Sequence, residues 1–303
     1  MLNISYNLSY RLKEYLYKIE NLRREIALTP ISPKTKLKLR WDAMINRIYY
    51  SLKLSGNRLK KAEMVRLLGQ NHKKMRKEEQ EVIKYKRALD YILQKWLGAN
   101  LQVDSASLIR LHEIIGSGKL SKPVEELEHL LDYLQGQKEN AIIQAAIASI
   151  EIAKMQPFTN HNKEISLLAP YLFLYKYGYD FRRFLAYESE WENYKPEINK
   201  ISLTLWLEYF AECILRQIEK VAGSVTTHDS ILKDINESFF ELNDRHKAEL
   251  NYLDNPENSI TNRKIQKNYK VSQITASRDL AKLTNLGFLL SHGKGRSVYY
   301  TKI

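Results

Sequence analysis

Apolar residues recur at intervals of three and four positions through most of the first 220 residues, and only 11 of the 303 residues are glycine. This spacing puts apolar side chains on one face of an α-helix. The first helix is predicted to end before Pro30, because proline breaks a helix interior, and its apolar face consists of Leu12, Leu16, Ile19, Leu22 and Ile26. This region is therefore predicted to be a helical bundle.

The composition, 44% apolar and 27% charged, is that of an ordinary globular protein. No run approaches the roughly 18 uninterrupted apolar residues of a membrane helix, and the N-terminus lacks the pattern of a signal peptide. We therefore predict a cytoplasmic protein that does not bind membranes. The single cysteine, Cys213, excludes an internal disulfide and a cysteine-based zinc site, and no metal site is predicted.

Positive charge is concentrated in two parts of the chain, whose formal net charge is +13. Residues 34–87 contain 17 basic and 5 acidic residues, and residues 260–303 contain 9 basic residues and 1 acidic residue. Two basic segments in an otherwise acidic chain favour a polyanionic partner. For the first segment, a solvated helix surface explains the charge equally well.

Residues 259–303 predict two short helices followed by two strands. Thr261 and Ser272 are the expected N-caps, and Gly287 is expected just after the second helix. The strands are expected over 288–291 and 297–301, with a glycine-containing basic tip between them. In the second helix, Ala276, Leu280 and Leu283 would pack inward.

Helix, turn, helix and β-ribbon is the arrangement of a winged helix-turn-helix, whose second helix enters the major groove of DNA. The predicted DNA-contacting residues are Lys270, Gln273, Thr275, Ser277, Arg278 and Lys282, with Lys294 and Arg296 at the strand tip. The segment 271–280 resembles the Val-Ser-x-x-Thr-Ala-x-Arg-Asp-Leu pattern of bacterial winged-helix domains, which implies DNA as a partner. A dimerisation or docking module is the alternative, and Arg278 could instead pair with a neighbouring acid.

Residues 156–164, Gln-Pro-Phe-Thr-Asn-His-Asn-Lys-Glu, resemble the His-Pro-Phe-x-Asp/Glu-Gly-Asn-Gly-Arg-x-x-Arg signature of the Fic/DOC family. Pro157, Phe158 and Asn162 match it. The other positions differ: Gln156 stands at the histidine, Asn160 at the acid, His161 and Lys163 at the glycines, and Glu164 and Leu167 at the two arginines.

Segments upstream of this loop also resemble segments of the family, and they occur in the same order along the chain. Residues 59–65, 81–89 and 109–112 match family segments, and residues 41–57 resemble the self-inhibiting helix, with its remnant at Ser51, Ser55, Gly56 and Asn57. Ser55 replaces the inhibitory glutamate, and Leu167 replaces the arginine that pairs with it. Both partners of that pair are therefore missing.

The resemblance implies a Fic-type domain without the family's chemistry. In the family the histidine is a general base, the acid holds Mg²⁺, and the arginines and the helix N-terminus bind ATP phosphates. A neutral amide at residue 156 or 160 and a carboxylate at residue 164 are unsuited to these tasks. The ten residues between His112 and Pro123 leave no room for the β-hairpin that aligns a target polypeptide. Asn162 is expected to cap the following helix rather than bind phosphate.

The sequence thus predicts a mainly α protein, a Fic-type helical bundle followed by a small α+β winged-helix domain. The predicted parts are an N-terminal helical region over 1–98, a Fic-like core over 99–222 with the degenerate motif at 156–167, a linker helix over 223–251 after a break at 222–227, and a winged helix over 252–303. The predicted function is a DNA-associated regulator or scaffold, a homodimer without cofactor.

Two further functions remain open at this stage. One is a nucleotidyl (AMP) or other phosphate-group transferase with a rebuilt site, which would use ATP and Mg²⁺ to modify a protein hydroxyl. His161, His112 or His129 would then serve as the base. The other is a protein-interaction partner, such as an inhibitor of an active relative.

Overall fold

The computed structural model describes residues 4–69, 74–99, 101–136, 139–192, 197–226, 242–255, 257–286, 288–293 and 295–302. These residues are mostly helical, and a two-stranded sheet lies near the C-terminus. The predicted fold class is confirmed. Within the described ranges no helix combines the length and apolar content that a membrane crossing requires.

Nine α-helices lie in the described residues before position 227. They are α1 (Tyr10–Leu28), α2 (Pro33–Leu54), α3 (Lys61–Gly69), α4 (Lys77–Trp96), α5 (Ser105–Ile115), α6 (Val124–Gly136), α7 (Ala141–Met155), α8 (Asn162–Lys176) and α9 (Leu203–Thr226). Local caps begin several of them. The side chains of Ser9, Ser32, Asp104 and Asn140 each accept a hydrogen bond from a backbone N–H in the first turn, as N-cap residues do.

The two helices that flank the candidate loop form the centre of the bundle. In α7 the residues from Ala141 to Ile150 are all buried, and in α8 those from Ile165 to Tyr175 are all buried. Helices that are apolar all round belong in a core. α4, α6 and α9 pack around this pair, and α1 packs against α9, where Cys213 is a buried core residue. The candidate loop is therefore held between two rigid elements.

Two helices lie at the ends of the predicted linker. α9 continues to Thr226, because a single glycine such as Gly223 weakens a helix by only about 1 kcal/mol relative to alanine. Residues 227–241 lie outside the described residues. Beyond them, α10 (Asp244–Tyr252) buries Leu250, and its Arg245 pairs with Asp279.

The C-terminal residues form two helices and a hairpin, as predicted. α11 (Asn262–Tyr269) is capped by Thr261 and α12 (Gln273–Asn285) by Ser272. Strands β1 (Leu289–His292) and β2 (Tyr299–Lys302) pair antiparallel. We call residues 242–302 the C-terminal module. Its contacts with the bundle run through α12 to α3, and the Nε2 of Gln94 in α4 donates to the Ser291 carbonyl at 3.0 Å.

Candidate functional site

The loop between α7 and α8 has left-handed backbone at both ends. Gln156 ends α7 with φ 49°, and His161 precedes α8 with φ 52°. Neither residue is glycine, although this conformation costs a residue with a Cβ atom about 1–2 kcal/mol. The cost shows that the surrounding contacts over-determine the shape of the loop.

His112 anchors the loop from α5. Its ring is fully buried and stacks on Phe158, with centroids 4.2 Å apart and planes inclined by 10°. Its Nδ1 accepts from the Gly118 N–H at 2.9 Å, so Nε2 carries the proton and donates to the backbone oxygen and the Oδ1 of Asn160, at 2.9 and 3.0 Å. Burial lowers the pKa of His112. The imidazole is neutral, and both of its nitrogen atoms have partners.

Asn162 closes the turn rather than capping the helix. Its Oδ1 accepts from the Phe158 N–H at 2.9 Å, and its Nδ2 donates to the Phe158 carbonyl at 2.7 Å. The N-cap position of α8 belongs to His161, whose side chain makes no capping hydrogen bond. The expected capping role of Asn162 is therefore wrong. Asn162 lies one residue past the N-cap position, and the Phe158 backbone satisfies its amide on both sides.

A short extended segment after α5 lies along the loop. Ser121 donates its N–H to the Pro157 carbonyl at 2.8 Å and its hydroxyl to the Gln156 carbonyl at 3.0 Å, and Thr159 donates to the Lys119 carbonyl at 3.1 Å. These bonds occupy the loop carbonyls. Gly116 permits the close approach, since a Cβ there would lie 3.0 Å from both His112 and Asn160.

A histidine–glutamate pair sits on the first turn of α8. The Nδ1 of His161 lies 3.0 Å from Oε1 of Glu164, and this hydrogen bond raises the pKa of His161. Both side chains are partly buried, 27% and 14% exposed. The carboxylate therefore occupies the positive end of the helix, where an anion would otherwise be favoured.

The other motif positions are divided between the core and the ends of helices. Leu167 is a core residue of α8. Ser51 is fully buried and donates to Glu188 at 3.4 Å, Ser55 ends α2, and Gly56 follows it with φ 98°. Asn57 donates to the Glu81 carboxylate at 2.7 Å and accepts from the Leu59 N–H. The remnant residues therefore terminate α2 and join it to α4.

The predicted DNA-contacting residues of the C-terminal module differ in their exposure. Lys270, Gln273, Ser277 and Arg278 are exposed. Within the described residues Arg278 makes no ion pair, and the adjacent Asp279 is bound instead by Arg245, at 2.6 and 3.1 Å, and by His246, at 2.9 Å. The predicted alternative partner of Arg278 is therefore not found there.

The other predicted DNA-contacting residues are hydrogen-bonded within the protein, are partly buried, or lie outside the described residues. The Thr275 hydroxyl lies 2.9 Å from the capping Ser272 hydroxyl, Ser277 accepts from the Asn262 amide at 2.7 Å, and Lys282 is half-buried. Lys294 and Gly287 lie outside the described residues, as does the Arg296 side chain. Among the described residues no three or more His, Cys, Asp or Glu side chains are grouped to hold a metal ion.

Sequence reasoning missed the structural role of His112 and the binding of Asp279 by α10. His112 and Asn160 are 48 residues apart, and Asp279 and Arg245 are 34 apart. Neither pairing has a periodic signal. The close succession of His112, Gly116 and Gly118 is the one local hint, because glycines near a buried histidine mark a close backbone approach.

Residues 103–174 match the family model described as Fic/DOC family. No curated protein sequence matches the chain. Among solved structures, a Fic family protein from Desulfovibrio desulfuricans G20 is similar with a TM-score of 0.60 and 14% identity, covering 100% of this chain and 98% of the other.

Two more solved structures share the fold over about seven tenths of this chain. A Fic domain containing signaling protein from Bacteroides thetaiotaomicron VPI-5482 is 15% identical with a TM-score of 0.54, over 73% of this chain and 99% of that one. Fic-1 from C. elegans is 18% identical with a TM-score of 0.56, over 70% and 71%. Residues 103–174 therefore match the Fic/DOC family model, and the chain has a mostly helical, Fic-like fold.

Proposed function

We propose that this protein is a DNA-associated regulator or scaffold that binds DNA through residues 259–303 and whose Fic-type domain does not transfer nucleotides. The observation that carries the proposal is the division of α12 into two faces. Ala276, Leu280 and Leu283 are buried, while Gln273, Ser277 and Arg278 are exposed. An exposed N-terminal helix face with glutamine and arginine suits adenine and guanine edges in the major groove.

The backbone around α12 supports a winged-helix assignment. Ile260 exchanges two backbone hydrogen bonds with Tyr300, at 2.9 and 2.8 Å, so a third extended segment joins the β1–β2 hairpin. The hairpin follows α12 directly and ends in a tight turn at Gly293, whose φ is 80°. A ribbon in this position reaches phosphates or the minor groove beside the recognition helix.

The bundle adds positive charge beside this face. α3 packs against α12, and it carries the exposed residues Lys61 and Arg66. Charges that flank a recognition helix contact phosphates and contribute affinity without sequence preference. We also propose a homodimer, because a two-fold pair of such helices matches a palindromic site.

The candidate loop supports the absence of transferase activity. A general base contributes about 10²- to 10⁴-fold, and the neutral amide of Gln156 cannot take a proton at neutral pH. The Asn160 amide oxygen accepts from His112, and Glu164 puts negative charge on the first turn of α8. ATP phosphates with Mg²⁺ therefore do not suit the residues of this loop.

Retention of genomic DNA fragments by the full-length protein tests the DNA-binding proposal. The wild type is expected to retain fragments at low salt, and the double variant Gln273→Ala/Arg278→Ala is expected to retain at least tenfold less, because each base contact contributes about 1–3 kcal/mol. Lys13→Ala removes one exposed charge from α1 and is the control. Equal retention of DNA by all three proteins would show that the C-terminal module does not recognise DNA.

One observation favours the alternative function, a transferase with a rebuilt site. The His161–Glu164 pair has the geometry of a base held by a carboxylate, which fixes the ring and raises its basicity. Labelled ATP with Mg²⁺ or Mn²⁺, added to the protein alone and to cell lysate, is expected to leave no covalent label. A label that His161→Ala abolishes and His129→Ala retains would establish the transferase instead.

A further inference from the structure

A small cavity lies far from the candidate loop, at the junction of the bundle and the C-terminal module. It is bounded by α2, α4, the end of α8 and the residue that follows α12, Leu286. Tyr175 on its wall is 13 residues along α8 from Asn162, or about 20 Å at 1.5 Å per residue. Its volume of about 50 Å³ exceeds the roughly 10–15 Å³ that a single water molecule needs.

The walls of the cavity combine apolar side chains with arginines. Its apolar lining includes Leu37, Trp41, Leu93 and Leu286, and its charged lining includes Arg40, Arg47 and Arg183. Arg47 is 5% exposed and Arg183 is 8% exposed. Two guanidinium groups that are more than nine-tenths buried in one cavity are an expensive arrangement unless an anion lies between them.

Both buried arginines have unused hydrogen-bond donors. Arg47 donates to the Tyr175 hydroxyl at 2.6 Å and to the Arg183 carbonyl at 3.1 Å, but its Nε has no partner among the described residues. The Nη2 of Arg183 has no partner there either. Neither arginine makes an ion pair within the described part of the chain. Unpaired buried donors of this kind mark the place of a missing acceptor.

Acidic groups nearby do not supply that acceptor. Asp90 on the cavity wall is paired with Lys86 at 2.8 Å. Asp180 and Glu188 interact electrostatically with Arg183 and Arg47 but form no ion pair with them among the described residues, and burial raises the pKa of both carboxyls, that of Glu188 to about 7. Burial, together with the neighbouring Arg40, lowers the pKa of Arg183 to about 9, so it is still charged at neutral pH.

An unusual turn places Arg183 in the cavity. Phe181, Arg182 and Arg183 have φ values of 48°, 58° and 70°, three successive left-handed residues without glycine. The turn is held from outside: Arg182 donates to the carbonyls of Ile26 and Thr29, and Arg40 donates to the Arg182 carbonyl at 3.2 Å. Such strain persists where the surroundings impose it and concentrates at ligand sites.

We propose that this cavity binds a small organic anion, a molecule with a carboxylate or phosphate head group on a short apolar body. The head group would pair with the buried guanidinium groups of Arg47 and Arg183, and the apolar body would lie against Trp41, Leu93 and Leu286. Since Leu286 belongs to the C-terminal module, the bound anion contacts both parts of the molecule. The proposal is independent of whether the module binds DNA.

Calorimetric titration and thermal unfolding of the full-length protein test this site with four probes at matched ionic strength. The probes are butyrate, butyl phosphate, inorganic phosphate and the neutral isostere butyramide. Butyrate or butyl phosphate is expected to bind and raise the Tm, and butyramide to do neither; the tighter of the two assigns the head group. If no anion binds more tightly than butyramide, the proposal is wrong.

Arg183→Met and Arg110→Met form the matched pair of variants. Arg183→Met is expected to weaken binding of the anion at least about tenfold, because it removes a charge-assisted donor, while its unliganded Tm is unchanged or higher. Arg110→Met alters an arginine that is half exposed on α5 and is expected to bind as the wild type does. Arg183→Gln gives the same test if the methionine variant does not fold. Full binding by either Arg183 variant overturns the proposal.

Discussion

His112 fixes the candidate loop because all of its bonding capacity is used there. The ring stacks on Phe158, accepts from Gly118 and donates to Asn160. A histidine in this state has no free lone pair with which to remove a proton from a substrate. The geometry therefore gives no support to the predicted role of His112 as a substitute base. His161 differs, because within the described residues only its Nδ1 is hydrogen-bonded, to the Glu164 carboxylate.

The buried His112 side chain is expected to contribute to the stability of the fold. His112→Ala is expected to lower the free energy of unfolding by about 2–4 kcal/mol, because it opens a buried cavity and leaves polar groups unpaired. His129→Ala, at an exposed histidine of α6, is expected to change it by less than about 0.5 kcal/mol. Urea unfolding measures both. Equal values for the two variants would show that His112 does not hold the loop.

A second residue-scale prediction concerns the pH dependence that Glu249 produces. This side chain is fully buried in the C-terminal module, neither of its carboxylate oxygens has a partner among the described residues, and burial raises its pKa from 4.5 to about 7. The folded protein then keeps a proton that the unfolded chain releases. Stability therefore falls as pH rises from about 4.5 to about 7.

Glu249→Gln is expected to remove that part of the fall. The variant should match the wild type near pH 4.5 and exceed it by about 1–3 kcal/mol at pH 8, as measured by urea unfolding at both pH values. Burial also raises the pKa of Glu188 to about 7. The free energy of unfolding of the variant therefore still falls with pH, but less steeply than that of the wild type. Glu257→Gln, at an exposed glutamate of the same module, is the control. A variant with the wild-type slope would show that Glu249 is ionised in the folded protein.

At the scale of elements, α12 carries a buried, ion-paired residue and an exposed one at adjacent positions. Asp279 is buried and holds α12 to α10 through Arg245 and His246, while Arg278 points to solvent. Asp279→Ala is expected to cost about 2–4 kcal/mol, since it leaves buried partners unpaired. Arg278→Ala is expected to cost less than about 0.5 kcal/mol. Urea unfolding of the two variants tests this, and an equal loss would mean that Arg278 is structural.

The sequence predicts elements well where their signals are local. The caps at Thr261 and Ser272 and the end of α1 before Pro30 depend on residues within one turn. The sequence fails where a distant contact overrides local propensity. No rule for single residues predicts a left-handed turn at 181–183, because none of its residues is glycine and its shape depends on carbonyl contacts with α1 and α2.

For the candidate site, too, the sequence predicts some features and not others. The resemblance alone predicts the motif positions from Gln156 to Leu167. It also predicts that the loop lies between two helices, which the structure shows to be buried. The partners of those residues do not follow from it. The bonds of His112 to Asn160 and of Asn162 to Phe158 decide what the loop can bind, and they arise only from tertiary packing.

At the scale of the whole molecule, the two basic segments of the sequence lie next to each other. Residues 34–87 cover α2, α3 and most of α4, and the C-terminal module packs on α3 and α4. The two basic parts of the chain are therefore in contact through α3 and α12. This is the arrangement expected of a protein that holds DNA through phosphates as well as base edges.

The affinity for a retained DNA fragment at 50 and 200 mM salt tests this account most directly. For the wild type we expect affinity to fall roughly 100-fold between the two, which corresponds to about four phosphate contacts. Lys13→Ala should behave in the same way, and Gln273→Ala/Arg278→Ala should bind at least tenfold more weakly at both salt concentrations. Affinity that does not change with salt, or a double variant that binds as tightly as the wild type, would contradict the proposed DNA-binding function.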